Sequence, residues 1–225
     1  MPNEERSEPG SQTAPAKQQM ANVQNNSLSC LLSHKCGRDT HAFARRLPPV
    51  LASCDVDLVR DPFEPGHEIL TRIQTVPFDS FVFLSTPEGV NSAACRAELE
   101  EAQARFVPIL TVRFKGAVPD ELRQRLYMDC EGKSSDELRH CLVELACVIR
   151  SRAALHRTIE TLSPSTHPDE AENAARELAR AVDASLLAES VDRIGSFYQP
   201  SLSPNARFWV ALAVGKAGTP RAKHL

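Results

Sequence analysis

Phe81-Val82-Phe83-Leu84-Ser85, then Ser92-Ala93-Ala94-Cys95-Arg96-Ala97-Glu98-Leu99-Glu100-Glu101-Ala102-Gln103-Ala104-Arg105-Phe106, then Val107-Pro108-Ile109-Leu110-Thr111-Val112: this stretch decides the fold. Two short apolar runs flank a segment in which Cys95, Leu99, Ala102 and Phe106 recur at helical spacing. The stretch therefore reads as strand, amphipathic helix, strand. Apolar runs alternating with amphipathic helices are the pattern of a parallel sheet with helices on both faces.

Working outward, the same alternation predicts strands at residues 29–32, 56–60, 81–84 and 107–112, with a weaker one at 126–129. Between them, residues 40–52 place Phe43, Leu47 and Val50 on one helical face, and Pro48-Pro49 should kink or shorten that helix. The loop Asp61-Pro62-Phe63-Glu64-Pro65-Gly66 leads into a short helix at 69–76, with Ile69, Ile73 and Val76 at helical spacing. A capping box, Ser134-x-x-Glu137, opens a helix at 134–151 striped by Leu138, Cys141, Leu142, Leu145, Val148 and Ile149. Residues 27–152 are thus expected to form a flavodoxin-like α/β domain with a five-stranded parallel sheet.

The flanks differ in kind. Residues 1–26 are rich in Pro, Gln, Asn, Ser and Glu with almost no large apolar groups, and read as a disordered tail. Residues 153–225 carry only helical signals. Pro168 suits a first helical position ahead of Ala171, Ala174, Ala175, Leu178 and Val182. Ser203-Pro204 opens a further helix with Phe208, Trp209, Ala211 and Leu212, and Gly218-Thr219-Pro220 ends it. From Asn205 onward the chain resembles one HEAT-type repeat cut off after its first helix; such repeats need neighbours to bury their faces.

Composition narrows the function classes. The 225 residues carry a net charge of -3 and a pI near 6.2, with only short Lys/Arg clusters, so there is no electrostatic case for nucleic acid. Seven scattered cysteines without a C-x-x-C pair argue against a disulfide framework or a zinc knuckle and for reduced thiols in the cytoplasm. No apolar stretch approaches the roughly 20 residues needed to cross a bilayer, and no signal peptide opens the chain. A soluble, cytoplasmic protein without a membrane partner is expected.

Glu98 is the candidate for chemistry. At about 100° per residue, Glu100 and Glu101 point away from the stripe of Cys95, Leu99 and Ala102, whereas Glu98 lies roughly 60° from its centre, at the border. It also lies in the first two helical turns, near the carboxyl ends of the strands, where doubly wound folds bind ligands. A bland alternative is the edge charge of an amphipathic helix.

Several pieces together resemble the TIR family over about 125 residues. They are Leu31-Leu32-Ser33-His34 with Gly37-Arg38-Asp39-Thr40, the Asp61 to Gly66 loop, Phe81-Val82-Phe83-Leu84-Ser85, and Asn91-Ser92-x-x-Cys95-x-x-Glu98-Leu99. Val118-Pro119-x-x-Leu122 and Leu126-Tyr127-Met128-Asp129 complete the run. The resemblance implies that Glu98 is the catalytic residue of an NAD+ glycohydrolase, with NAD+ as substrate and no further cofactor. It also implies that Ser33, His34, Arg38 and Phe63 contact substrate, Arg38 at the pyrophosphate and Phe63 stacked on a ring. Many relatives carry a bulky aromatic where this chain has Ala94. The loop at 61–67 is further expected to build TIR–TIR contacts, and a role in immune or defence signalling follows from the family alone.

Three rival readings accompany this one: a non-enzymatic TIR adaptor that recruits other TIR domains, a solenoid-linked sensor with a regulated TIR portion, and a nucleoside-modifying glycosidase on a similar fold.

Overall fold

The computed structural model describes residues 27–35, 37–59, 76–116, 118–122, 127–163, 165–181 and 184–218. The expected tail at 1–26, the loop bearing Phe63, and the helix at 69–76 except for Val76 lie outside them.

Five strands form one parallel sheet: β1 (Leu28–Ser33), β2 (Val56–Leu58), β3 (Ser80–Ser85), β4 (Ile109–Arg113) and β5 (Tyr127–Asp129), in the order β2-β1-β3-β4-β5. This is the flavodoxin-like order, in which the chain reverses its direction of progress between β1 and β3. Helix α1 (Arg38–Ala52) follows β1. The short α2 (Pro87–Val90) and α3 (Ala93–Ala104) join β3 to β4. Helix α4 (Ser135–Glu160) follows β5 and leads into α5 (Pro168–Arg180), α6 (Ala184–Ser196) and α7 (Pro204–Ala217).

Both faces of the sheet are covered, which is why its central strands read as nearly continuous apolar runs. Cys30, Leu32, Val82, Leu84, Leu110 and Val112 pack with Phe43, Leu47 and Leu51 of α1 and with Leu142, Leu145 and Ile149 of α4. On the other face Leu31, Phe81, Phe83 and Ile109 pack with Cys95, Leu99 and Ala102 of α3. A third core joins Ile159, at the end of α4, to Ala175, Leu178, Leu187, Ile194 and Val210 of the helical segment.

Three helices depart from expectation. Helix α1 keeps its length through Pro48 and Pro49; these prolines cannot donate to the carbonyls of Ala44 and Arg45, yet Leu47 and Leu51 on the same stretch are fully buried and anchor it. Helix α3 stops before Phe106, which is 61% exposed and not part of the buried stripe. Phe106 takes φ 57°, its N–H bonding Gln103 O at 3.0 Å while Val107 N–H bonds Ala102 O at 3.1 Å. That is a Schellman ending with Phe in the left-handed position where glycine is usual. Helix α4 opens with the expected capping box, Glu137 accepting from Ser134 N at 2.7 Å, but runs on to Glu160. Buried Arg152 and His156 occupy helical positions between Ile149 and Ile159 and break the apolar stripe that sequence reading follows.

Polar bonds clasp the helical segment to the sheet end opposite the strand termini. Arg157 reaches Asp79 and, at 2.9 Å, the carbonyl of Ser27. Arg193 of α6 bonds both oxygens of Glu160. No helix among the described residues is long and apolar enough to cross a membrane.

Candidate functional site

Strands β1 and β3 are neighbours and end at Ser33 and Ser85. The sheet order reverses between them, and doubly wound folds bind ligands at the carboxyl ends of the strands at such a switch point.

One row of the sheet near this edge has a distinct chemistry. Ser33 pairs with Phe83, and Phe83 pairs with Thr111, so the three lie in register across β1, β3 and β4. Their neighbours two residues earlier, Leu31, Phe81 and Ile109, face α3; because side chains alternate along a strand, Ser33, Phe83 and Thr111 face it too. Ser33 is fully buried and Thr111 nearly so. Neither hydroxyl oxygen has a hydrogen-bond partner among the described residues.

Helix α3 lies over this row. Thr86 caps α2 by accepting from Gly89 N at 3.0 Å, and Ser92 caps α3, its hydroxyl accepting from Cys95 N at 3.5 Å. The turn between β3 and α3 is tight: a Cβ on Gly89 would stand 3.3 Å from both the Leu84 carbonyl oxygen and Thr86 Oγ1. These caps set the rotation of α3, and with it Cys95, Glu98, Leu99 and Ala102 turn inward. Glu98 is 2% exposed. Glu100 is exposed, and Glu101 is spent on an ion pair with Arg105 at 2.8 Å. The expected division among the three carboxylates is the observed one.

The surroundings of Cys95 reveal which groups converge here. Burial pushes its thiol up, the hydroxyls of Ser92 and Ser33 pull it down, the charge of Glu98 raises it and the ammonium of Lys35 lowers it. The Ser33 hydroxyl is near enough to act on the thiol, but without the geometry of a hydrogen bond. Ser33, Lys35, Ser92 and Glu98 therefore surround one sulfur at the switch point.

Of the residues expected in the site, Ser33 and Glu98 come together about Cys95, and His34 is buried just past β1. Arg38 is the first residue of α1 rather than a loop residue, and its side chain is outside the described part of the structure. Phe63 is outside it altogether. Ala94 is exposed. Lys35 and Thr111 were not foreseen. Thr111 had a signal, being the polar residue that alternates with Ile109 in an otherwise apolar strand; Lys35 had none beyond its place in the loop after β1.

A buried carboxylate and the buried Ser33 hydroxyl gathered about one sulfur, with the Lys35 ammonium at the rim, suit a ligand rich in hydroxyls that develops positive charge near the carboxylate. Among the described residues no group of three or more His, Cys, Asp or Glu is arranged to hold a metal ion. Compared with models of protein families, with curated proteins and with solved structures, the chain matches none.

Proposed function

We propose that residues 27–152 form a TIR-type domain that cleaves the nicotinamide–ribose bond of NAD+, releasing nicotinamide and ADP-ribose or a cyclic isomer. The observation that carries this reading is the burial of Glu98, at 2% exposure, at the β1–β3 switch point while its two neighbouring carboxylates are turned outward or ion-paired. Departure of nicotinamide leaves an oxocarbenium-like ribose, and a carboxylate fixed in a low-dielectric crevice stabilises that cation while accepting hydrogen bonds from the ribose hydroxyls. Nicotinamide leaves as a neutral group, so one carboxylate suffices without a separate general acid. Ser33 and His34 would line the ribose side, Arg38 would meet the pyrophosphate and Phe63 would stack on a ring. Self-association through the loop at 61–67, a cytoplasmic location and a role in defence signalling belong to the same proposal.

The experiment is incubation of the full chain with NAD+ and, in parallel, with nucleosides, following nicotinamide and free base by mass spectrometry. Nicotinamide release that Glu98→Gln removes is the expected result. Base release from nucleosides alone would point to the nucleoside glycosidase. Intact NAD+ over about two decades of protein concentration, with binding to other TIR domains, would point to an adaptor.

A further inference from the structure

A second cavity lies on the other face of the sheet. It holds about 300 Å³ between the β4–β5 edge and α4, with Leu110, Leu145 and Val148 as apolar wall and Lys133, Cys141 and Glu144 among its polar groups. Cys141 is 4% exposed overall, so this cavity is its route to small molecules.

A second thiol stands behind the first. Past β5, Cys130 N–H bonds Arg113 O at 2.8 Å, and the chain then folds back so that Lys133 N–H approaches Cys130 O at 3.4 Å. Gly132 makes this return possible with φ 70°. The turn sets Cys130 into the same apolar cluster as Cys141 and holds Lys133 at the cavity.

We infer that Cys141 is a modification site for small-molecule disulfides and that Cys130 resolves the adduct into an internal Cys130–Cys141 disulfide. The Cys141 thiolate attacks one sulfur of RS–SR; that S–S bond breaks, and RS⁻ leaves and takes up a proton. Cys130 then gives its proton to solvent and attacks the Cys141 sulfur, expelling the second RS⁻. Two protein thiols are oxidised to one disulfide, and the external disulfide is reduced to two thiols. The order of attack follows from access: Cys141 lines the cavity and Cys130 does not. Burial, followed by the charge of Cys141, pushes Cys130 to about 12, while the Lys133 ammonium is stabilised chiefly by Cys141. Lys133 lines the same cavity as Cys141, and an adjacent ammonium favours a reactive thiolate. The site is separated from Glu98 by the sheet and owes nothing to NAD+ chemistry.

The test is to incubate the folded full chain with oxidised glutathione and map the cysteines by peptide mass spectrometry, with exposed Cys147 as the accessible reference. A Cys130–Cys141 disulfide is expected in the parent chain. Cys130→Ser should stop at a glutathione adduct on Cys141, Cys141→Ser should leave Cys130 reduced, and Lys133→Met should slow adduct formation about tenfold. If Cys147 becomes fully modified in the parent chain while Cys130 and Cys141 stay reduced, the inference is overturned. If the parent chain stops at the Cys141 adduct, the resolving role of Cys130 is overturned. The parent mapping stands whether or not a variant folds.

Discussion

The guanidinium of Arg193 forks onto both carboxylate oxygens of Glu160, at 2.7 Å each, while lying 4.5 Å from the ring of Phe197 and 5.1 Å from that of Phe106. One side chain of α6 thus holds the last residue of α4 and the residue just past α3. The ion pair is part-exposed, 27% and 36%, so by itself it is worth under about 1 kcal/mol; the two stacked rings add roughly 0.5–1 kcal/mol each. Arg193→Ala should cost about 1–2 kcal/mol in urea denaturation. Arg193→Lys should restore less than half, because an ammonium cannot fork. A loss under about 0.3 kcal/mol for Arg193→Ala would mean that the clasp is not formed in solution.

Glu98→Gln should lower nicotinamide release at least about a hundredfold, the scale of losing a stabilising group aimed at developing charge. The fold should be retained, since the amide keeps the shape of the carboxylate. Glu100→Gln changes an exposed side chain and should stay within about 0.5 kcal/mol and near parental turnover. Comparable activity losses in both variants would show that the orientation of α3 is not what sets the chemistry.

Thr111→Val separates a structural hydroxyl from a functional one. A buried hydroxyl that lacks a partner costs roughly 1–3 kcal/mol relative to a well-packed apolar group. Because Thr111 Oγ1 has none among the described residues, the valine variant should be as stable as the parent or more so. If the row beneath α3 serves the ligand, KM for NAD+ should rise in the same variant. Greater stability with unchanged kinetics would remove Thr111 from the site.

The fold was legible because the strands follow the covered-sheet pattern: Phe81-Val82-Phe83-Leu84 and Ile109-Leu110 are apolar at successive positions since helices cover both faces. The inward turn of Glu98 was legible for a similar reason, being a matter of angle on one helix. What escaped depends on distant partners. Phe106 fits the helical stripe by spacing, and only its left-handed backbone takes it out. Buried His156 and Arg152 look like the end of a helix because the third core, into which α4 runs on, is built by residues farther along the chain. Lys35 gains its relation to Cys95 through α3, some sixty residues later. The Ser33–Phe83–Thr111 row needs strand register, which local sequence does not encode.

His156 makes stability depend on pH. Burial depresses its affinity for a proton from the ordinary value of 6.5, against the raising influence of Glu160 and Asp79 and together with the lowering influence of Arg193 and Arg157. The unfolded chain therefore binds the proton first as pH falls below 6.5, and stability drops between that point and the lower folded-state value. Above 6.5 this contribution is fully present. Melting temperature should decline from pH 7.5 to pH 5.5, and His156→Gln should flatten the decline. An identical slope in parent and variant would assign the acid sensitivity to other groups.

Helix α4 has a mechanical consequence. Its first half is set in the sheet core by Leu142, Leu145 and Ile149, and its far end enters the helical core at Ile159 without a break between. At 1.5 Å per residue Glu160 stands about 22 Å beyond Leu145, so a tilt of roughly 10° about the anchored half would carry it roughly 4 Å. Glu160 grips Arg193, and Arg193 lies on Phe106; the stroke of this lever therefore arrives at one end of α3, the helix that carries Glu98 at its middle.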